Sequence, residues 1–256
     1  MQRRKFLQSS IIAASAITTG VKPEDKKAVK EMYEWREYDM RFGADQSQLE
    51  TFFRTALIPA FNKYGVKSIG VFKEIGKSEP PKIYLLIPFA SMDDYISVTA
   101  KVKADDDFIK NSQAYNSIPA DKPIYSRYTS SFMIAFDGIP KMIVPAIAPR
   151  IFELRTYEGY SEDAVRRKIK MFNDGEFPIF YRTKLNPVFF GEVISGKNLP
   201  CLTYMVTFKD MAERDKNWAD FSADPDWKKL SADPQYANSV SNIIRIFLVP
   251  ADYSQV

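Results

Sequence analysis

Two short stretches of this sequence place an acid, a guanidinium and a phenol at alternate positions: Glu34-Trp35-Arg36-Glu37-Tyr38 and Glu153-Leu154-Arg155-Thr156-Tyr157. Along an extended chain successive side chains point to opposite faces. Glu34, Arg36 and Tyr38 therefore share one face of a strand, as do Glu153, Arg155 and Tyr157. Such a set can bind a ligand, the Arg holding an anionic group while a carboxylate or Tyr moves a proton. It can also form an ion-paired ladder in which partly buried charges satisfy one another. The ladder is the plainer reading, because both stretches keep all three residues and a single active site would not require that.

The other chemistries are narrowed by composition. There is no histidine among the 256 residues, which removes the usual base near neutral pH and the commonest ligand of transition metals. Any catalysis must use carboxylates, Tyr, Lys, Arg or the backbone, and no cofactor is expected. Cys201 is the only cysteine, so it has no internal disulfide partner, and its apolar surroundings suggest a buried, inert thiol. Asp105, Asp107, Asp224 and Asp226 offer two carboxylates per stretch, too few for a hard-metal site. Asp224 followed by Pro225 has the form of a helix start, and no metal site is expected. Trp227 reads as a core anchor, and Arg166-Arg167-Lys168 as a solvated helix face without the stacking aromatics of a single-strand binder.

The chain opens with Arg3-Arg4-Lys5-Phe6-Leu7, then an apolar stretch from Ser9 to Thr18 containing Ala14-Ser15-Ala16. This resembles a twin-arginine export signal, which implies an exported, periplasmic or extracytoplasmic protein. Without Arg3, Arg4 and Lys5 the formal charge falls from +4 to +1, so phosphate-driven nucleic-acid binding loses its support. No run reaches the roughly 18 apolar residues of a membrane span, and no transmembrane segment is expected.

The chain also matches itself. Tyr33 to Tyr38 recurs as Phe152 to Tyr157 at an offset of 119 residues, and the same offset pairs Phe53 with Phe172, Pro59 with Pro178, Phe89 with Phe208 and Asp105 with Asp224. A register held without gaps through strand, helix and loop implies a tandem duplication. The expected organisation is an export signal and lead over 1–30, a unit over 31–137, a Pro-rich linker over 138–149 and a second unit over 150–256. In the first unit Glu31 to Arg41, Val66 to Ile75, Ile83 to Phe89 and Ile124 to Phe136 read as strands. One helix starts at a capping box, Ser47 to Glu50, with a kink at Pro59, and another carries Met92, Tyr95, Ile96, Thr99 and Val102 on one side.

The order is βαββαβ, a ferredoxin-like α+β unit with both helices on one sheet face. The other face of each sheet can be covered by the other unit, giving an intramolecular dimeric α/β barrel. On this view Tyr33 and Trp35 pack on the helices, and Glu34, Arg36 and Tyr38 look into the space between the sheets.

Phe152-Glu153-Leu154-Arg155-Thr156-Tyr157 and Asp224-Pro225-Asp226-Trp227 closely resemble the NIPSNAP family, and Tyr33 to Tyr38 with Asp105 to Phe108 do so more loosely. The resemblance implies a dimeric α/β-barrel fold and no settled reaction. Its better-known members are mitochondrial, a setting from which the export-like signal departs. The leading expectation is a small-molecule binding protein with candidate ligand residues Glu34, Arg36, Tyr38, Glu153, Arg155 and Tyr157. A cofactor-free enzyme of the monooxygenase or isomerase kind is the alternative, and a structural subunit forming homo-oligomers is a third.

Overall fold

The computed structural model describes residues 29–76 and 79–256; the export-like segment lies outside the described residues. The first half contributes β1 (Met32–Met40), α1 (Gln46–Phe52), α2 (Ile58–Lys63), β2 (Gly70–Glu74), β3 (Lys82–Phe89), α3 (Met92–Lys103), α4 (Asp106–Asn111), α5 (Gln113–Asn116) and β4 (Tyr125–Ala135). The second contributes β5 (Ile151–Glu158), α6 (Glu162–Met171), α7 (Phe177–Arg182), β6 (Asn186–Ser195), β7 (Cys201–Phe208), α8 (Met211–Ala223), α9 (Pro225–Ser231) and β8 (Asn242–Pro250).

Each half forms an antiparallel sheet of ferredoxin-like order, β4-β1-β3-β2 and β8-β5-β7-β6. The sheets then hydrogen-bond edge to edge, β2 to β8 and β4 to β6, closing one eight-stranded barrel. Closure leaves no sheet edge unpaired. The fold is thus an α+β dimeric-barrel arrangement made within one chain.

Three apolar clusters define the layers. One packs the helices of the first half on its sheet, with Leu49, Phe53, Leu57, Phe61, Leu85 and Val98. A second does the same in the other half, with Val165, Phe172, Phe180, Tyr204 and Phe221. The third fills the barrel interior with residues of both halves, among them Tyr33, Trp35, Phe72, Phe152, Phe189 and Met205.

Local starts and stops follow side-chain chemistry. The first helix begins two residues before the expected capping box: Asp45 is the cap, accepting from the Ser47 N–H at 2.9 Å. Ser161 caps α6 and Asp210 caps α8 in the same way. At Pro59 and Pro178 the helices do not break. A π-turn spans Phe53–Leu57 and another Phe172–Glu176, and Ile58 donates to the Phe53 carbonyl five residues back. The wider turn absorbs the missing proline N–H and carries the chain straight into α2 and α7.

Candidate functional site

The lumen of the barrel is packed solid at one end and open at the other. Alternation along β1 aims Tyr33, Trp35 and Glu37 inward, and along β5 Phe152, Leu154 and Thr156. Tyr33 meets Phe189 and Phe72 meets Phe152, with centroids 5.2 and 5.1 Å apart, which closes the first end. Towards the other end lies a cavity of about 300 Å³ lined by both halves. Trp35, Met133, Leu154, Val193, Ile244 and Ile246 make its apolar wall. Thr129, Ser131, Thr156, Thr203 and Asn198 bring hydrogen-bonding groups, and Glu37, Lys82 and Lys197 stand at its mouth.

The floor is rigid. Trp35 stacks on Tyr84 at 5.3 Å, and the Tyr84 hydroxyl donates to the Glu74 carboxylate; burial first, and then this bond, push that phenol's pKa far above its ordinary value. Thr156 and Thr203 are hydrogen-bonded to each other at 2.9 Å. Glu37 receives Lys82 at 2.5 Å and Lys197 at 3.4 Å, and Asp39 lies 3.6 Å from Lys82. Burial alone would lower the pKa of Lys82; its bond to Glu37, aided by Asp39 and Glu74, outweighs this and raises it. The arrangement can seat the apolar body of a small molecule against Trp35 and fix a polar end at the mouth.

The six residues expected to line the inter-sheet space are elsewhere. Glu34, Arg36 and Tyr38, with Glu153, Arg155 and Tyr157, lie on the outer sheet faces beneath the helices, while Tyr33 and Trp35 face the lumen. The alternation holds but the faces are reversed. Period two does not say which face is inner, and here the large apolar side chains of both halves fill the lumen. The charges instead find partners in the neighbouring strand and the helices.

In the first half Arg36 binds Glu34 through two bonds of 2.7 and 2.8 Å, and Ser130 of β4 donates to the same carboxylate. Tyr38 stacks on Tyr128 at 4.9 Å, and burial lifts its phenol to about 12. In the second half Glu153 is taken mainly by α8. Arg214 gives it two bonds, 2.9 and 3.0 Å, and the Trp218 indole a third at 2.8 Å. Arg155 reaches Glu153 only at 3.3 Å, its Nε has no partner, and its guanidinium lies 4.1 Å from the Trp218 ring centroid. Tyr157 and Tyr204 share a hydrogen bond of 2.9 Å.

Lys168 also departs from expectation. It is not on a solvated face but buried, paired with Glu176 and set over the Phe172 ring at 4.5 Å. Burial raises the pKa of Glu176, while Lys168 and then Arg155 pull it back. The first aspartate of each pair caps a helix and also binds a basic residue: Asp105 with Lys63 at 2.6 Å, and Asp224 with Arg182 at 2.6 and 2.7 Å. Lys63 and Arg182 share the 119-residue offset, a signal already present in the sequence. Among the described residues no group of three or more acidic or cysteine side chains is placed to hold a metal ion, and no helix is long and apolar enough to cross a membrane. Cys201 is buried, which lifts its thiol to about 11.

Comparison with solved structures supports the fold over nearly the whole chain. A candidate monooxygenase from Lactobacillus acidophilus superposes with a TM-score of 0.55 at 13% identity, covering 86% of this chain and 94% of its own. One from Fusobacterium nucleatum gives 0.54 at 11%, covering 87% and 93%. An anthrone oxidase-like protein gives 0.51 at 9%, covering 87% and 92%. No curated protein matches the sequence. The family model NIPSNAP matches residues 152–255, from the first residue of the Phe-Glu-x-Arg-x-Tyr strand to the end of the second sheet and beyond. The similarity to the NIPSNAP family thus lies in the second half of the chain, over residues 152–255.

Proposed function

We propose that this chain is an exported, NIPSNAP-type binding protein that holds a small molecule in the open end of its barrel lumen. It would consist of an export segment over 1–30 and two duplicated units, 31–137 and 150–256, joined by the linker 138–149. The observation that carries the reading is the cavity itself. It is formed jointly by both halves, with an apolar wall, hydroxyl groups and a charged mouth, in a lumen that is otherwise filled. A closed barrel needs no such void for stability, since unfilled apolar space costs packing energy. Export rests on Arg3-Arg4-Lys5 and the apolar stretch after it. Native mass spectrometry of protein purified from its own host is expected to show a small adduct that is lost on denaturation. A bare chain that also shows no perturbation of the Trp35 indole resonance across a fragment library would overturn the reading.

A cofactor-free enzyme is the second reading, favoured by the inequality of the two helix-covered sites: Arg36 is fully paired, whereas Arg155 keeps an unpartnered Nε beside Tyr157 and Trp218. The barrel neighbours described as candidate monooxygenases and as anthrone oxidase-like suggest what to try. Dioxygen uptake with an anthrone, lost in Arg155→Lys and kept in Arg36→Lys, would support it. No uptake above the uncatalysed rate would count against it.

A further inference from the structure

Resting on the lumen reading, we infer that the ligand is a compact amphiphile with a single anionic head, and that Lys197 receives that head. The wall fixes the body of the ligand. Trp35, Leu154, Val193, Ile244 and Ile246 offer apolar surface in the cavity wall, and none of these side chains has a charge to match. The lining's charged groups are Glu37, Lys82 and Lys197, so a charged end of the ligand belongs at the mouth beside them.

The mouth fixes the sign. Two ammonium groups, Lys82 and Lys197, converge on one carboxylate, Glu37. Glu37 is already taken at 2.5 Å by Lys82, which has Asp39 as a second acid at 3.6 Å, while Glu74 is engaged by the Tyr84 hydroxyl. Lys197 is left with the weakest share, one contact of 3.4 Å to an acid that another lysine holds more closely. It is the cation able to accept a further anion without breaking a short bond. Its position suits that role: it lies on the turn between β6 and β7, its side chain is 45% exposed, and Asn198 beside it also lines the cavity. A carboxylate held there would still find the hydroxyl groups of Thr129, Thr156 and Thr203 within the same cavity.

Three isosteric probes test this: naphthalene-1-carboxylate, naphthalene-1-methanol and naphthalene-1-methylamine, titrated into the full chain by calorimetry, with nuclear Overhauser contacts to the Trp35 indole and Ile246 methyls locating each. The carboxylate is expected to bind about tenfold more tightly than the alcohol, with the amine weakest, and Lys197→Gln should bring the carboxylate down to the affinity of the alcohol. Lys67→Gln, an exposed lysine away from the cavity, should keep the preference. Equal affinities with contacts to Trp35, or a preference that survives Lys197→Gln, would overturn the anionic assignment and leave the lumen reading standing. No binding of any probe at millimolar concentration, or binding without contacts to Trp35, would overturn both.

Discussion

The two helix-to-sheet interfaces of this molecule are built on the same frame and solved differently. Where the first half sets Leu49 and Leu57, the second sets Lys168 and Glu176, each 119 residues further along the chain and each fully enclosed. The rings around them also correspond: Phe53, Phe108 and Tyr38 in the first half answer to Phe172, Trp227 and Tyr157, which stand 4.5, 5.4 and 5.7 Å from the Lys168 ammonium. An aromatic nest that holds leucines in one half thus holds an ion pair in the other. A buried pair is a poor source of net stability, because desolvating two charges offsets most of their attraction. The contrast implies that the second interface was not shaped for stability alone.

The widest break in that comparison comes from dismantling the pair. Lys168→Leu or Glu176→Leu alone leaves an uncompensated buried charge and should cost about 3–5 kcal/mol. The double variant, which copies the first half, should recover wild-type stability or exceed it by about 1 kcal/mol or more. Chemical denaturation of the four proteins reads the cycle. Two single losses that simply add in the double variant would show that the side chains do not act as a pair.

A pH series sharpens it. In Lys168→Leu the Glu176 carboxyl loses its first counter-charge, and burial already raises its pKa. An acid whose pKa is higher folded than unfolded is no burden while protonated in both states. Its cost grows as pH rises from the unfolded value, about 4.3, towards the folded one, and is complete above that. The deficit of Lys168→Leu against the wild type should therefore shrink on going from pH 8 to pH 5. A deficit constant over that range would place the cost in lost packing.

Much of this architecture is legible in the sequence. The 119-residue register, the alternating Glu-x-Arg-x-Tyr strands and the apolar helix stripes lead directly to two like sheets, because strand and helix periods are set by local geometry. The placement of the site was not legible. Alternation separates Tyr33 and Trp35 from Glu34 and Arg36 but is blind to which set is covered by helices. That is decided by partners distant in sequence: Ser130 for Glu34, and Arg214 and Trp218 for Glu153. The cavity mouth is hidden for the same reason, since Glu37 comes from β1, Lys82 from the start of β3 and Lys197 from the turn between β6 and β7, and together they form no motif. Lys168 reads as solvated in the sequence because it adjoins Arg166 and Arg167, and only the helical turn rotates it inward.

The acids on the two inner strands give a smaller contrast. Glu153 serves Arg214, Trp218 and Arg155, whereas Glu34 serves Arg36 and Ser130. Glu153→Gln should cost about 3 kcal/mol and Glu34→Gln about 2, since more charged donors lose their acceptor in the first case. Thermal melts of the two variants decide it, and the reverse order would mean that the bonds of Arg214 and Trp218 to Glu153 add little to the second interface.

The least effect is expected where the halves agree. Asp105 and Asp224 cap equivalent helices, and both carboxyls titrate low, at about 2, chiefly through Lys63 in one case and Arg182 in the other. A carboxyl depressed on folding contributes stability that is fully present above its unfolded value, about 3.9, and is lost as pH falls through the folded value. Asn caps a helix about as well as Asp, so Asp105→Asn and Asp224→Asn remove the charge and spare the cap. Near pH 7 each variant should be slightly less stable than the wild type, and the gap should close between pH 4 and pH 2 by the same amount in both halves. A gap that closes for one variant and persists for the other would show that the bidentate Arg182 and the single ammonium of Lys63 are not equivalent, and would carry the asymmetry of the halves from their cores to their surfaces.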